Sequence, residues 1–386
     1  MNPTSVRITP PPAPAPGYEV VVRPGALVDL PALLRVAAPA HRYAVVSDSN
    51  VAPLWGEAVL GPLREAGLRA DLVTVPAGES AKTRATWAHV LDEFLALGLG
   101  RDACVLALGG GVVGDLAGFA AATFLRGVSV VQIPTTLLAM VDASVGGKTG
   151  IDAPAGKNLI GAFHQPRLVL ADPATLGTLP DRELRSGMAE VVKHGAIADE
   201  RYFDDVVAGC ADLLARKGAA LTPVVRRSVE IKASFVAADP FEAGARKALN
   251  AGHTLGHAIE ALSGYALAHG EAIAIGMVVE ARAGERAGIT APGTSGRLEQ
   301  ALAGFGLPTR LPADMEPAAV LGAARSDKKA RAGRLHYTLL ERIGGLARAA
   351  DGAWTHALDD ELVAAALAEC RERTPVDGVF PGCGSV

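Results

Sequence analysis

Aromatic residues are scarce, at 4% of 386 residues, so Ala, Val and Leu are left to do most of the packing. The four cysteines, Cys104, Cys210, Cys370 and Cys383, lack CxxC spacing and the density of a disulfide framework. That absence argues against a cystine-stapled scaffold and for a reducing compartment with unpaired thiols. No apolar run is long enough to span a bilayer, and the first residues hold no apolar signal region, so the expected location is the cytoplasm. Charge of one sign is missing too: 37 Lys and Arg stand against 41 Asp and Glu, without a like-charged block. Such a chain offers nothing to nucleic acid or to a membrane surface and suits a small-molecule partner.

What is present is a globular mixture, 49% hydrophobic and 20% charged, on a chain longer than one core usually organises. A Pro-rich arm over 1–17 and a Gly- and Pro-rich tail over 374–386 are expected to carry no chemistry. Between them, short β-branched runs at 43–46, 72–75, 104–108, 128–133 and 168–170 alternate with helical stretches. That alternation predicts a parallel α/β sheet. From about residue 179 helical periodicity takes over, as in 181–194 and 271–287. The expected fold is a Rossmann-like α/β nucleotide-binding domain over 18–178 and an all-α metal- and substrate-binding domain over 179–373. Ligands then belong in the cleft between them.

Five groups of residues bear chemistry. Gly109, Gly110, Gly111 and Gly114, with Asp115, follow an apolar strand and open an Ala-rich helix, where glycines bring backbone N–H groups close to a pyrophosphate. No acidic residue ends a strand about 20 residues later, as the usual dinucleotide fingerprint requires; Thr135 and Thr136 lie there instead. Asp142, Ser144, Gly146, Gly147, Lys148, Thr149, Lys157 and Asn158 have the composition of a phosphate-holding loop. A Walker A loop is rejected, because the required upstream glycine is absent. Glu190 and Lys193, at i and i+3, share a helix face, which by itself fits an ordinary surface ion pair.

Asn250 precedes His253 and His257, which stand at i and i+4, so Asn250 is the predicted N-cap of their helix. His269 and Glu271 follow. HExxH is not met, since the Glu is missing. Glu190 with two of these three histidines would make a three-ligand metal site with an open position, and spacing alone does not say which two. Lys232, Glu242, Arg246, Lys247 and the run Asp327, Lys328, Lys329 add charge suited to an acidic, phosphorylated substrate.

Taken in order from Gly109 to Lys329, these groups resemble the 3-dehydroquinate synthase family of sugar phosphate cyclases, over roughly residues 40–345. The resemblance implies that Glu190, His253 and His269 hold a divalent Zn2+ or Co2+, with His257 a substrate contact. It implies NAD at Asp48, Asn50, Glu79, Lys82, Gly110, Gly111, Asp115, Thr135, Thr136, Lys157 and Thr178, with the acidic groups placed in the early strands. Substrate contacts fall on Arg126, Asp142, Lys148, Asn158, Lys193, Lys232, Glu242, Arg246, Asn250 and His257, with one of Lys328 and Lys329. Arg126 of family members reaches the neighbouring subunit's site, implying a homodimer. The activity implied is the cyclisation of 3-deoxy-D-arabino-heptulosonate 7-phosphate to 3-dehydroquinate and phosphate, the second step of the shikimate pathway. Aminodehydroquinate synthase and other sugar phosphate cyclases are the nearest alternatives, and a metal-dependent glycerol-type dehydrogenase is a more distant one.

Overall fold

The computed structural model describes residues 17–326 and 334–372. Its first half carries β1 (Glu19–Val22), β2 (Tyr43–Asp48), β3 (Ala70–Val75), β4 (Cys104–Gly109), β5 (Ser129–Pro134), β6 (Lys148–Ala153), β7 (Gly156–Phe163) and β8 (Leu168–Ala171). All but β6 and β7 join one parallel sheet in the order β1-β8-β5-β4-β2-β3.

The sheet is covered on both faces, and the central strands are correspondingly apolar throughout. Val45, Leu106 and Val131 face α1 (Leu30–Ala37) and α2 (Ala52–Glu65). Ala44, Val105 and Val130, one position earlier, face α3 (Arg84–Ala96) and α4 (Gly111–Thr123). The chain moves from β2 outward to β3 and then returns to place β4 on the other side of β2. The order reverses there, so the crevice at the carboxyl ends of β2 and β4 is where a nucleotide fits such a sheet.

The second half contains α5 (Asp181–Ala198), α6 (Glu200–Ala208), α7 (Cys210–Leu214), α8 (Gly218–Ala238), α9 (His253–Leu262), α10 (His269–Arg286), α11 (Thr294–Gly304), α12 (Pro317–Ser326) and α13 (Asp360–Glu369). It is helix-rich rather than wholly helical. Two short antiparallel pairs join β9 (His336–Tyr337) to β12 (His356–Ala357) and β10 (Leu340–Arg342) to β11 (Gly345–Leu346).

The apolar centre of this half does not stop at a single chain position. Leu137, Met140 and Val141, which follow β5, lie in one cluster with Met188 and Val192 of α5, Leu255 and Ile259 of α9, and Ile273 of α10. The turn that leaves the sheet is thereby anchored among the helices.

Candidate functional site

β6 and β7 form an antiparallel hairpin, with Lys148 opposite Phe163 and Gly150 opposite Gly161. The Lys-, Asn- and Gly-rich segment expected to be a loop is therefore mostly strand. Its composition hid the pairing, because Gly150 and Gly161 are needed where the two backbones meet: a Cβ on Gly150 would lie 2.7 Å from the Ile160 carbonyl oxygen. Gly146, at φ 99°, backs onto the Arg246 guanidinium, whose Nη2 a Cβ there would overlap. Only glycine meets both demands.

Glu190 and Lys193 share a face of α5 as their spacing predicts, but the face is buried. Glu190 is 0% and Lys193 1% exposed, so the pair is no surface ornament. Lys193 Nζ makes an ion pair with Glu190 Oε2. Neither Glu190 oxygen has a hydrogen-bond partner among the described residues. Burial alone would raise the Glu190 pKa, but the Lys193 charge and the His269 imidazole pull it down to about 2. Lys193 offsets the charge at Oε2, and Oε1 is left as an ionised interior oxygen suited to a further cation.

His253 opens α9 and His269 opens α10, and both point Nε2 at Glu190 Oε1, from 3.5 and 3.6 Å. Two ligands about 2.1 Å from a tetrahedral ion are about 3.4 Å apart, so the donor atoms already stand at the separation a bound metal requires. Each outer nitrogen has its own acceptor: His253 Nδ1 lies 3.1 Å from the Ala251 carbonyl and His269 Nδ1 3.5 Å from Glu260 Oε2. Such partners fix the tautomer that leaves Nε2 free to ligate. His257, Glu260 and His269 also converge, and the His257 ring centre lies 5.3 Å from that of His253. Glu260, however, has Oε1 engaged by Lys157 at 2.8 Å and Oε2 turned to the outer nitrogen of His269, whereas Glu190 keeps Oε1 toward the inner nitrogens of both histidines. The three residues Glu190, His253 and His269 fit a divalent metal best.

Asn250 is not the cap of α9. It ends a 3-10 turn (Ala245–Asn250), its amide donates to Glu242 Oε1 at 2.9 Å, and the capping position falls to Gly252 in a left-handed conformation. The helix start is held from outside by Glu280 of α10, whose carboxylate accepts from Gly252 N–H at 2.8 Å and Leu255 N–H at 3.0 Å.

Next to Glu190, His253 and His269 lies a charged cluster. Asp142, Glu190 and His194 present oxygen or nitrogen atoms within 4.8 Å of one another. Lys232 Nζ is 2.8 Å from Asp142 Oδ1 and also donates to the Asp142 carbonyl. Burial opposes the Asp142 charge, yet Lys232, Lys193 and His194 hold its pKa far below the carboxylate range. Burial lowers the Lys232 pKa to about 8 in spite of Asp142. Arg246, 2% exposed, donates from Nη1 to the carbonyls of Gly146 and Pro240, both at 2.9 Å. Lys148 pairs with Glu242 across the cleft.

The residues expected to hold a dinucleotide gather at the switch point of the sheet. Gly110 caps α4 with no side-chain bond, leaving the first N–H groups of the helix clear for an anion. A Cβ on Gly110 would meet Thr136 at 3.1 Å, and one on Gly111 would meet Ala143 at 3.3 Å. Thr135 Oγ1 is buried without a hydrogen-bond partner among the described residues, and Thr136 Oγ1 accepts from Ala139 N–H. Asp48, at the end of β2, accepts from Asn50 and Val51 N–H at 2.8 and 2.9 Å. Glu79 sits in a 3-10 turn (Glu79–Ala81) after β3 rather than in a strand. Thr178 accepts from Trp55 Nε1 at 2.9 Å.

Lys82 Nζ donates to Asp115 Oδ2 and to Asn158 Oδ1, each at 2.6 Å, and Lys157 Nζ reaches Glu79 Oε1 at 3.5 Å and Glu260. These bonds link the glycine-rich helix start to α9, and so to the Glu190 group, in one network. The clear helix start and the Thr135 hydroxyl, which has no partner among the described residues, fit NAD. Arg126 stands apart: it is exposed, at φ 70°, and has no ion pair among the described residues. Asp327, Lys328 and Lys329 lie outside the described residues. Glu260, Glu280 and His194 belong to no motif singled out in the sequence. Glu260 was accessible to pattern reading, one turn beyond His257 and two beyond His253 on one helix face.

The chain matches the family 3-dehydroquinate synthase N-terminal over residues 72–186 and 3-dehydroquinate synthase C-terminal over residues 187–330. It is 50% identical over 329 residues to a 3-dehydroquinate synthase of Symbiobacterium thermophilum, covering 85% of this chain and 92% of that one. A structure of 2-epi-5-epi-valiolone synthase from Streptomyces hygroscopicus subsp. jinggangensis, with NAD+ and Zn2+ bound, is similar at TM-score 0.85 and 32% identity, over 95% of this chain and 99% of that one. A 2-deoxy-scyllo-inosose synthase complexed with carbaglucose-6-phosphate, NAD+ and Co2+ is similar at TM-score 0.82 and 25% identity, over 92% and 97%.

Proposed function

The chain belongs to the 3-dehydroquinate synthase family, and from that premise we propose that its cleft converts 3-deoxy-D-arabino-heptulosonate 7-phosphate to 3-dehydroquinate and phosphate. The carrying observation is the buried Glu190, its Oε1 facing His253 and His269, beside a cluster of buried cations. NAD, when bound, supplies a transient hydride acceptor, and a divalent metal supplies a Lewis acid and template for substrate hydroxyl oxygens.

The chain's own residues do the rest. Glu190, His253 and His269 hold the metal, and the clear start of α4 with Thr135, Glu79, Lys82 and Lys157 cradles the dinucleotide. Lys148, Lys193, Lys232, Arg246, Asn158 and Asn250 bind the carboxylate and phosphate and keep a flexible substrate in a reactive pose. Asp142, held ionised by Lys232, accepts a hydrogen bond from a substrate hydroxyl, and His257 lies where it can move a proton. The division of labour largely follows the chain, with the cofactor held by residues 18–178, the metal by 179–373, and the substrate between them by residues of both. Arg126 is left for a second subunit's site, which makes the working form a homodimer, and the expected location is the cytoplasm. No helix among the described residues is long and apolar enough to cross a membrane.

Purified protein given the heptulosonate phosphate, NAD and Co2+ or Zn2+ is expected to release phosphate and 3-dehydroquinate in equal amounts without net NADH. NADH rising with product would mark a dehydrogenase, and absent phosphate release would remove the reading. Light scattering on the same preparation tests the dimer.

A further inference from the structure

Glu260 lies on α9, 6% exposed, with one partner for each carboxylate oxygen. Oε1 accepts from Lys157 Nζ at 2.8 Å, and Oε2 faces His269 Nδ1 at 3.5 Å. Lys157 belongs to the hairpin at the dinucleotide side, where it also approaches Glu79 and lies 4.3 Å from the centre of the Tyr265 ring. His269 turns its other nitrogen to Glu190. One buried carboxylate thus touches a residue of each ligand site.

We propose that Glu260 is a positioning residue that couples the two sites: it orients the His269 imidazole toward the metal position and anchors Lys157 at the dinucleotide position. The inference rests on the metal reading of Glu190, His253 and His269. A carboxylate behind a ligating imidazole fixes its ring and raises its basicity, and loss of such a partner typically weakens metal binding about 10- to 100-fold. Loss of the Lys157 anchor frees a long side chain that must be ordered again when the dinucleotide binds.

The test measures two affinities in the full-length protein, without turnover. Co2+ binding is read by chelator competition and by the visible absorption of the bound ion, and NAD binding by calorimetry on metal-free protein. Glu190→Ala is expected to lose Co2+ and keep NAD, and Lys157→Met to weaken NAD and keep Co2+. Glu260→Ala is expected to weaken both, Co2+ by about 10- to 100-fold with an altered spectrum.

Wild-type Co2+ affinity and spectrum in Glu260→Ala, with Co2+ lost in Glu190→Ala, overturn the positioning role and leave the metal reading standing. Co2+ lost in Glu260→Ala but kept in Glu190→Ala makes Glu260 a ligand, and overturns both. Glu260→Gln repeats the measurements at unchanged side-chain volume if the alanine variant does not fold, and normal binding of both ligands there also overturns the proposal.

Discussion

Gly276 of α10 faces Gly252 at the start of α9 with no room between them for a methyl group. A Cβ on Gly276 would overlap the Gly252 carbonyl oxygen and lie 2.8 Å from Gly256 N. That contact sets how closely the two histidine-bearing helices approach. Gly276→Ala is expected to destabilise the protein by about 1–3 kcal/mol, as overpacking does, and to weaken metal retention by displacing His253. Gly296 of α11 has nothing within 4 Å of its Cβ position, so Gly296→Ala is expected to be neutral or to stabilise by about 0.4–1 kcal/mol. Denaturant melts of both variants check the pair, and equal effects would remove the argument.

Glu190→Ala and His253→Ala are expected to abolish metal retention after dialysis. His257→Ala is expected to keep the metal and lose turnover, because His257 lies beside the Glu190 group rather than in it. Metal content by elemental analysis, set against steady-state rates, decides; the reverse result for the two histidines would exchange their roles.

Lys148 and Arg246 are expected to fail differently. The Lys148 side chain is 48% exposed and pairs with Glu242, so Lys148→Ala should fold normally and lose turnover. Charge-assisted bonds contribute roughly 1.5–3 kcal/mol each, which corresponds to about one to two decades in binding. Arg246 is buried against two carbonyls, so Arg246→Ala should lower both turnover and the melting temperature. Thermal melts beside kinetics separate the two, and near-normal kinetics in both would refute a phosphate- and carboxylate-binding role.

Lys232 carries the expected pH dependence. Burial lowers its pKa to about 8 against the pull of Asp142, so its charge is complete at pH 6 and declines as pH rises through 8. Substrate capture should fall with it, about tenfold per pH unit well above 8. Lys232→Met is expected to be weak at every pH and to lack that alkaline limb. A kcat/KM profile of the two proteins checks this; an unchanged limb in the variant would assign it to another group.

Much of this was legible in the sequence, since β-branched runs against helical periodicity locate five strands of the sheet and the onset of the helices. β1 escaped because four residues beside a Pro-rich arm carry no alternation, and they become a strand only by pairing with β8. The hairpin escaped because its Gly, Lys and Asn residues favour loops in isolation, whereas cross-strand contact selects the glycines. Spacing alone placed Glu190 and Lys193 on one face and left burial undecided. Asn250 misled because a cap is chosen by what else the side chain can bond, and Glu242 holds it. The outer acceptors Glu260 and Glu280 are set by packing of α9 on α10, which no local pattern encodes.

The insertion of Leu137, Met140 and Val141 among the helices also bears on the order in which a growing chain can fold. These residues leave the ribosome well before Leu255, Ile259 and Ile273, which help to cover them. The nucleotide sheet can pair its strands early, but this segment is only partly covered until α9 and α10 emerge. A nascent chain stalled near residue 200 should therefore bind chaperones through this stretch, and a fragment ending at 178 should aggregate although its six-stranded sheet is complete.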